Sequence, residues 1–330
     1  MTKNPSFSII IPNYNGSKFL PDCLYSLYQS IKFCSGQFEI IIVDNASIDN
    51  SLDLINNFFN QYRSTKLSTK VYQLKTNTGF AQAVNFGINQ SQYDYVVICN
   101  NDLTLEKNWF QLISKTISNN KNSKITTFFG TVLNKDGSKF ESQGFKFDIT
   151  GKVKNISNHK PFKKSLLGKN KIVWGTSAAL VVYQKEIIKK IGLFDKTFFA
   201  YQEDVDISLR LAKLHYKTLY IPSTICYHLG GGTSQLMKNI RSRLCFRNWF
   251  FIIIKNYSFT EFFNNFFGIL KERCRNFSFF FKETIAAYQF KSIYILPYDF
   301  LKTIFEIFFY LPKMLKKRKH FQKLLKSIKV

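Results

Sequence analysis

The sequence is short of acidic residues. Its 330 residues include 21 Asp and Glu against 47 Lys and Arg, which gives a formal net charge of +26. It has only 7 Pro and 15 Gly, too few for a collagen-like or low-complexity chain. With 45% hydrophobic residues it does not belong to the disordered class, which combines low hydrophobicity with high charge. The positive charge favours a phosphate-bearing ligand, a membrane surface or a nucleic acid, although AT-rich coding would also enrich Lys, Asn, Ile and Phe.

Three further features are missing from the sequence. None of the six cysteines forms a C-x-x-C pair, so we expect buried reduced thiols and no zinc site. No run of 18 apolar residues is present, so no transmembrane helix is expected. Residues 1–8 lack the basic-then-apolar order of a signal peptide. Together these absences predict a cytoplasmic protein.

Composition divides the chain into two regions. Residues 236–330 hold 19 of the 47 basic residues, 5 of the 21 acidic residues and 18 of the 36 Phe. We therefore predict an α/β domain over residues 1–235 and a helical, basic and aromatic region over residues 236–330. The seam falls near the glycine-rich run at residues 230–234, which could act as a lid hinge or a phosphate loop.

Strand and helix patterns alternate in the first region. Apolar, β-branched runs at residues 7–11, 38–43, 71–74 and 95–99 are separated by stretches with helical spacing. This order predicts a mostly parallel sheet flanked by helices, and such sheets bind ligands beyond the carboxyl ends of their strands. Further along, the patterns predict a helix from residue 105, a hairpin at residues 136–137, short strands at 219–221 and 224–227, and a helix from residue 205.

Polar residues follow three of the predicted strands. The strands end in residues 12–16 (PNYNG), 44–47 (DNAS) and 100–102 (NND). Asp44 could accept hydrogen bonds from a base or a ribose hydroxyl, and Asp102 is a hard oxygen ligand for Mg²⁺ or Mn²⁺. A helix N-cap at residues 44–47 and a simple turn at Asn101-Asp102 are the structural alternatives.

A second group of polar residues lies later in the chain. Glu203, Asp204 and Asp206 form a dense acidic cluster, and close packing of like charges raises at least one pKa toward that of a general base. Acidic capping of a helix is the structural alternative, which explains one or two of these acids well and three beside aromatics poorly. His228 follows a predicted strand and precedes the glycine run, so it is either a structural histidine or a metal ligand.

Taken in order, these segments resemble the family 2 glycosyltransferases of GT-A fold, most closely the branch of rhamnosyltransferases and related bacterial polysaccharide enzymes. The resemblance covers roughly residues 6–250. The matching segments are residues 8–16 (SIIIPNYNG), 39–49 (EIIIVDNASID), 77–83 (NTGFAQA), 95–102, 192–206 (GLFDKTFFAYQEDVD) and 220–234.

The resemblance implies a role for each matching residue. It places the metal at Asp102 and His228, and it makes Asp204 the catalytic base with Glu203 and Asp206 in support. One departure is that residues 100–102 (NND) supply a single carboxylate where many relatives have Asn-Pro-Asp or Asp-x-Asp, which raises the importance of His228. The implied nucleotide-sugar contacts are Pro12, Tyr14, Asn15, Asp44, Asn77, Gly79, Asn101 and Arg247.

The implied reaction is an inverting, single-step transfer from a nucleoside-diphosphate sugar, possible donors including rhamnose. The cofactor would be a divalent metal, Mg²⁺ or Mn²⁺, and the acceptor a glycan held on polyprenyl diphosphate during O-antigen or capsule synthesis. Glucosyl, galactosyl and galactofuranosyl donors on the same fold are alternatives. A non-catalytic nucleotide-sugar-binding protein is a further one. No nucleic-acid partner is expected, because no RRM, KH or zinc pattern accompanies the charge.

The C-terminal region alternates Phe and Leu with Lys and Arg at helical spacing. Such helices can lie in a membrane interface, where each basic residue near an anionic surface contributes about 1 kcal/mol. The alternative is a helical subdomain that packs its aromatic face on the first region. We predict contact with an anionic membrane surface, on the inner face of the bacterial plasma membrane.

Overall fold

The computed structural model describes residues 4–229, 238–288 and 292–328. Its strands are β1 (Phe7–Asn13), β2 (Phe38–Asp44), β3 (Leu67–Gln73), β4 (Tyr95–Cys99), β5 (Leu103–Leu105), β6 (Ile125–Asn134), β7 (Phe140–Ser142), β8 (Phe145–Asp148), β9 (Lys152–Asn155), β10 (Lys171–Val173), β11 (Leu180–Gln184) and β12 (Lys217–His228). Its α-helices are α1 (Leu20–Lys32), α2 (Ser51–Gln61), α3 (Phe80–Gln90), α4 (Trp109–Ser118), α5 (Lys185–Lys190), α6 (Glu203–Lys213), α7 (Lys238–Asn256), α8 (Phe259–Asn264), α9 (Phe266–Tyr288) and α10 (Ser292–Ile328).

The main sheet has the strand order β10-β12-β6-β11-β4-β1-β2-β3. Strands β3, β2, β1 and β4 are parallel, which confirms the predicted α/β sheet. Beyond β4, β11 is antiparallel to both neighbours, while β6 and β12 are parallel to each other. Leu180, at the start of the antiparallel β11, pairs with Cys99 at the end of β4. The residues just before β11 therefore lie at the sheet edge where β1, β2 and β4 end.

Two local predictions need correction, and a third is confirmed. The helix expected from Leu105 begins at Trp109, because residues 103–105 pair with β12 as strand β5. The two strands expected on either side of Pro222 are one strand, β12, with a register shift between Ile221 and Ile225 that accommodates the proline. The hairpin at residues 136–137 is confirmed, since it joins β6 to β7.

Helices cover both faces of the parallel strands. Alternate residues of β1 and β2 point to opposite faces. On one face, Ile9 and Ile11 pack with the apolar side of α1, and on the other, Ile10 packs with Ala81 and Val84 of α3. Both faces are therefore buried, which accounts for the unbroken apolar runs in the sequence.

The C-terminal helices share a core with the α/β region. Helices α9 and α10 both pack on α7. Trp249 and Phe251 of α7 are buried in one cluster with Val205 and Leu209 of helix α6. The predicted domain boundary at residues 235 and 236 and the glycine run at 230–234 lie outside the described residues.

Two further expectations concern cysteines and membrane spans. Cys23, Cys34, Cys99 and Cys226 are free and buried as expected, but Cys245 is only partly buried and Cys274 is exposed, because its position on α9 faces outward. Among the described residues, no helix is both long enough and apolar enough to span a bilayer.

Candidate active site

The polar residues after β1, β2 and β4 meet at one edge of the sheet. The backbone N–H of Asn45 donates to the carbonyl of Asn13 over 2.7 Å. The side chain of Asn13 accepts a hydrogen bond from Asn101 Nδ2 at 2.7 Å and donates to Asp44 Oδ1 at 2.9 Å. Hydrogen bonds therefore connect the ends of three adjacent parallel strands, as the strand-end argument predicts.

Asp44 is fully buried beneath this edge. Its Oδ2 accepts a hydrogen bond from the backbone N–H of Ser47 at 3.0 Å, and its Oδ1 accepts one from the Ser47 hydroxyl at 2.5 Å. It is not the N-cap of α2, because that helix begins at Ser51. In this structure Asp44 holds Asn13 and the following turn in place.

The segment before α3 comes close to the loop before α6. Asn45 Nδ2 donates to Asn77 Oδ1 at 2.9 Å, and Asn77 Oδ1 also accepts from the backbone N–H of Gly79 at 3.0 Å. Gly79 has a φ of +81°, and a Cβ at this position would lie 2.4 Å from the carbonyl oxygen of Phe199. Only glycine therefore allows this close approach without a shift of the backbone.

Asp102 and His228 are neighbours on the opposite side of the same edge. Asn101 and Asp102 form the turn from β4 to β5, and β5 pairs with β12, which ends at His228. The distance from His228 Nε2 to Asp102 Oδ2 is 3.3 Å, and His228 Nδ1 lies 2.6 Å from Glu141 Oε1. Burial lowers the pKa of His228, but the hydrogen bonds and charges of Asp102 and Glu141 outweigh it and raise the pKa to about 10.

Asp102 and His228 supply two of the ligands that a divalent cation needs. A carboxylate and an imidazole face each other, and Glu141 orients the imidazole through its second nitrogen, an arrangement typical of histidine metal ligands. The nearby Asn100 Oδ1 is buried and has no hydrogen-bond partner among the described residues. Within the described ranges no group of three His, Cys, Asp or Glu could hold a metal, so a bound ion would depend on ligand oxygens for the rest of its shell.

Two cavities adjoin this edge. The first, here called the strand-end cavity, is lined by Pro12, Asn13, Tyr14, Asn45, Asn77, Gly79, Phe80, Asn100, Asn101, Asp102, Phe199, Ala200, Tyr201, Glu203 and His228. The second, the helix-side cavity, is bounded by β8 and β9, the start of α6, and helices α7 and α9. Tyr201 and Glu203 line both cavities, whereas Asp204 lines only the helix-side cavity. The acidic cluster therefore lies at the junction of two binding spaces.

The two acids at this junction have raised pKa values. Burial is the main cause for Asp204 and raises its pKa to about 6, against hydrogen bonds from the backbone N–H groups of Val205 and Ala178 and from Ser177. Glu203 is raised well above its ordinary pKa by burial and by the charge of Asp204. Glu203 Oε2 is buried and has no hydrogen-bond partner among the described residues. Asp204 can therefore take up a proton near neutral pH, as a general base requires.

Asp206, on the same helix, points away from both cavities. It is fully buried and contacts Arg210 at 2.8 Å, Lys255 at 2.8 Å and Asn256 at 2.8 Å. Lys255 also pairs with Asp195, which in turn contacts Lys317 of α10. Burial raises the pKa of Asp206, but the positive charges of Arg210 and Lys255 outweigh it and lower the pKa overall. Its contacts tie α6 to the C-terminal helices.

Arg247, an implied nucleotide-sugar contact, lines neither of these two cavities. It is buried, with Nη1 2.6 Å from Glu306 and Nη2 2.9 Å from the carbonyl oxygen of Phe198. The next residue, Asn248, donates through Nδ2 to the carbonyl oxygens of Ala200 at 3.0 Å and Tyr201 at 2.8 Å. The Arg-Asn pair therefore holds the backbone of the loop that separates the two cavities.

That loop has an unusual backbone. Phe199, Tyr201 and Gln202 have φ values of +66°, +68° and +68°, a region that residues other than glycine rarely adopt. Such conformations persist where surrounding contacts hold them, and they cluster at functional sites. Here Arg247 and Asn248 provide those contacts from α7.

The structure brings together part of the predicted site. Asn15, Asp44, Asp206 and Arg247 are not among the lining residues of either cavity, while the other predicted residues are. Sequence reasoning left out Asn13, Asn45 and Asn100, which the strand-end rule could have found. It also left out Phe199, Tyr201 and the residues of α7 and α9, which carry no local signal.

Comparison with known proteins identifies the family. The family model described as glycosyl transferase family 2 matches residues 8–192, more than half of the chain. The chain belongs to glycosyl transferase family 2. The match ends before the acidic cluster and His228.

Curated relatives of this family 2 chain include bacterial polysaccharide enzymes. It is 26% identical to poly-beta-1,6-N-acetyl-D-glucosamine synthase of Staphylococcus epidermidis over 226 residues, which are 67% of this chain and 49% of the relative. It is 32% identical to the poly(ribitol-phosphate) beta-N-acetylglucosaminyltransferase TarS of Staphylococcus aureus over 102 residues, or 31% of this chain and 17% of TarS. The chain thus spans about half or less of the length of these relatives.

Solved structures support the fold. The mannosyltransferase PcManGT from Pyrobaculum calidifontis, in complex with GDP-Man and Mn²⁺, matches with a TM-score of 0.55 at 14% identity, over 99% of this chain and 86% of that one. S. aureus TarS 1-349 in complex with UDP-GlcNAc matches with a TM-score of 0.52 at 16% identity, over 96% and 92% of the two chains. At this identity the likeness shows the fold alone, a mostly parallel GT-A sheet followed by helices.

Proposed function

We propose that this family 2 glycosyltransferase transfers a sugar from a nucleoside-diphosphate donor in the strand-end cavity to a glycan hydroxyl in the helix-side cavity. One observation carries the proposal: the two cavities meet at Tyr201 and Glu203, and Asp204 lines only the helix-side cavity. A base that serves the acceptor must lie on the acceptor's side of the junction, and Asp204 does.

The chemistry is an in-line displacement with inversion. Asp204 takes the proton of the acceptor hydroxyl, whose oxygen bonds to the anomeric carbon while the bond from that carbon to the diphosphate oxygen breaks. The leaving nucleoside diphosphate carries away the electron pair of the broken bond. The pKa of Asp204, about 6, leaves its carboxylate ionised at neutral pH, and this pKa is close enough to neutral pH for efficient proton transfer. General-base help of this kind contributes roughly 10²–10⁴-fold.

A divalent metal would bind at Asp102 and His228. When bound it would supply positive charge opposite the diphosphate oxygens. The chain's own part is to hold the two ligands 3.3 Å apart and to orient the imidazole through Glu141. The PcManGT structure with Mn²⁺ supports this choice of cofactor.

We infer that the donor is a hexosyl or N-acetylhexosaminyl nucleotide. UDP-GlcNAc is the first donor to test, because TarS was solved with it. A rhamnosyl donor stays a prediction from the sequence resemblance, with glucosyl, galactosyl and galactofuranosyl donors as alternatives. For the acceptor we propose a polyprenyl-diphosphate-linked glycan of a cell-surface polysaccharide, reached by a peripheral position on the inner face of the plasma membrane.

A thermal-shift panel tests the donor site. Purified protein is heated with UDP, GDP, UDP-GlcNAc, UDP-glucose, GDP-mannose and dTDP-rhamnose, each with and without Mn²⁺. Ligands that bind the native state raise its Tm, so we expect one base and one sugar to stand out and Mn²⁺ to add to the shift. Asp102→Asn should lose the Mn²⁺ increment. No shift with any nucleotide would contradict the proposal.

Release of nucleoside diphosphate tests catalysis. The donor chosen by thermal shift is incubated with wild-type protein and with a mixture of membrane-extracted glycolipid acceptors. We expect acceptor-dependent release that the Asp204→Asn protein does not give. Donor binding without release by either protein would instead favour a non-catalytic nucleotide-sugar-binding protein, and equal release by both would show that Asp204 is not the base.

A further inference from the structure

The C-terminal helices expose an unusual amount of apolar surface. Of the 22 large hydrophobic side chains that are exposed among the described residues, sixteen lie between residues 259 and 315. Single exposed apolar residues are ordinary, but a contiguous patch marks an interaction surface. Of these sixteen residues, Phe279 alone lines the strand-end cavity or the helix-side cavity.

On α9 four of the six exposed apolar residues form one stripe, while Phe279 lines the helix-side cavity. Phe267, Leu270, Phe281 and Ile285 are separated by 3, 11 and 4 positions, which places them on one side of a helix with 3.6 residues per turn. The buried residues Ile269 and Phe280 lie on the opposite side. This stripe therefore faces away from the body of the protein.

Helix α10 repeats the pattern. Its exposed stripe runs with spacings of four and three residues, through Tyr294, Tyr298, Leu301, Phe305 and Phe308. The buried residues Thr303, Ile307 and Met314 occupy the opposite side. Helices α9 and α10 pack against each other and both pack on α7, so each stripe points away from α7.

Lysines border both stripes, and two of them, Lys313 and Lys316, follow the end of the α10 stripe and also line a cavity with residues 191–196. Five exposed lysines each directly follow an exposed apolar residue or Pro312: Lys271, Lys282, Lys302, Lys313 and Lys316. None of the five forms an ion pair with a described residue. The exposed acid among the described residues 259–328 is Glu283 alone. We call the two stripes and these lysines the lysine-edged face.

We propose that the lysine-edged face docks on an anionic lipid bilayer. The aromatic and aliphatic stripes would enter the boundary between headgroups and acyl chains, while the lysines extend to the anionic headgroups. A second copy of this chain is a poorer occupant, because a symmetric contact would bring two rows of lysines together. The inference rests on the proposed function in one respect: a lipid-linked acceptor is the reason that the enzyme would need to reach a membrane.

Vesicle flotation of the full chain tests the proposal without any substrate. We expect binding to vesicles of phosphatidylglycerol and phosphatidylcholine, weak binding to pure phosphatidylcholine, and release of the bound protein by 0.5 M salt. A basic residue near an anionic surface contributes about fivefold in partitioning. The variant with Gln at Lys271, Lys282, Lys302, Lys313 and Lys316 should therefore bind anionic vesicles at least about 100-fold more weakly.

A matched variant controls for net charge. It replaces five exposed lysines of the α/β region by Gln: Lys107, Lys135, Lys164, Lys169 and Lys190. We expect it to bind anionic vesicles within a few-fold of wild type. A third variant, with Ser at Phe267, Phe305 and Phe308, should lose binding to both vesicle types. All three should keep the wild-type Tm shift with nucleotide, which separates this test from that of the transferase assignment.

Three outcomes would overturn the proposal. The first is equal binding of wild type to neutral and anionic vesicles, and the second is an equal loss of binding in both five-lysine variants. The third is a salt-resistant dimer in light scattering that does not bind vesicles and is broken by the Phe-to-Ser variant, which would assign the face to a second copy. If a variant fails to fold, the lipid and salt dependence of the wild-type protein decides alone.

Discussion

The two cavities are built in different ways. The strand-end cavity is formed by short polar segments that directly follow β1, β2 and β4, together with the loop before α6. The helix-side cavity takes residues from a hairpin, from the start of α6 and from two helices more than 30 residues further along the chain. The cavity proposed for the donor is thus a product of the sheet, whereas the cavity proposed for the acceptor depends on how the C-terminal helices pack.

Asp204→Asn should have the largest effect and tests most strongly whether the two cavities have different roles. We expect kcat to fall by at least about 10²–10⁴-fold while nucleotide affinity stays within twofold, because Asp204 lines only the helix-side cavity. Initial rates at saturating donor and calorimetric titration with UDP measure the two quantities. The Tm at pH 8 should not fall, since burial makes the ionised carboxylate of Asp204 unfavourable. Turnover near wild type would remove Asp204 as the base.

Asp206→Asn, two residues further along α6, should lower stability and leave kcat largely intact, the opposite of Asp204→Asn. Asp206 is fully buried between Arg210 and Lys255, and removing one partner of a buried ion pair costs about 3–5 kcal/mol. We therefore expect a large loss in the free energy of unfolding, measured by urea denaturation. Any remaining folded protein should keep most of its kcat. Loss of kcat with unchanged stability would restore Asp206 to a direct catalytic role.

Asn248→Ala tests the wall between the cavities. Without its amide, the carbonyls of Ala200 and Tyr201 lose their donor, and each unsatisfied buried group costs about 1–3 kcal/mol. We expect the strained loop to relax, kcat to fall roughly tenfold or more, and the pH midpoint of kcat to move down as Asp204 gains solvent. Asn265→Ala, which removes a similar bond to the carbonyl of Glu261, is the control and should leave the midpoint unchanged. Equal pH profiles in both variants would contradict a positioning role.

The pH dependence of wild type follows from the raised pKa of Asp204. The base must be ionised, so kcat should be constant above about pH 7 and fall with a midpoint near the pKa of about 6. At pH 5 we expect about one tenth of the maximal rate. A rate-against-pH profile at saturating substrates measures this. A midpoint near 4 would place the titrating carboxyl in water rather than in the buried site.

The smallest effect should come from the far wall of the helix-side cavity. Asn276 of α9 lines that cavity, and its Oδ1 is buried with no hydrogen-bond partner among the described residues. We expect Asn276→Ala to raise the KM for acceptor by about 3–10-fold, the value of one hydrogen bond, without changing donor affinity. Tyr14→Ala in the strand-end cavity should do the reverse. If both variants weaken donor binding and neither changes the KM for acceptor, the helix-side cavity does not hold the acceptor.

The same contrast explains what the sequence could predict. The strand-end residues follow from a local rule, so the meeting of residues 12–16, 44–47 and 100–102 at one sheet edge could be predicted, and the hydrogen bonds among Asn13, Asp44 and Asn101 confirm it. The helix register also follows from apolar spacing, as in α1 and α3. Helix geometry places Asp204 and Asp206 on different sides of α6, but which of the two faces a cavity was not predictable, because that depends on the tertiary partners each one meets. Arg247 was misplaced for the same reason: its partner Glu306 is 59 residues away.

A structure with UDP, Mn²⁺ and an acceptor analogue would test the central claim most directly. Our account predicts the uridine and diphosphate in the strand-end cavity, with the metal at Asp102 and His228, and the acceptor hydroxyl beside Asp204 in the helix-side cavity. A nucleotide bound in the helix-side cavity, or an acceptor bound away from Asp204, would contradict it.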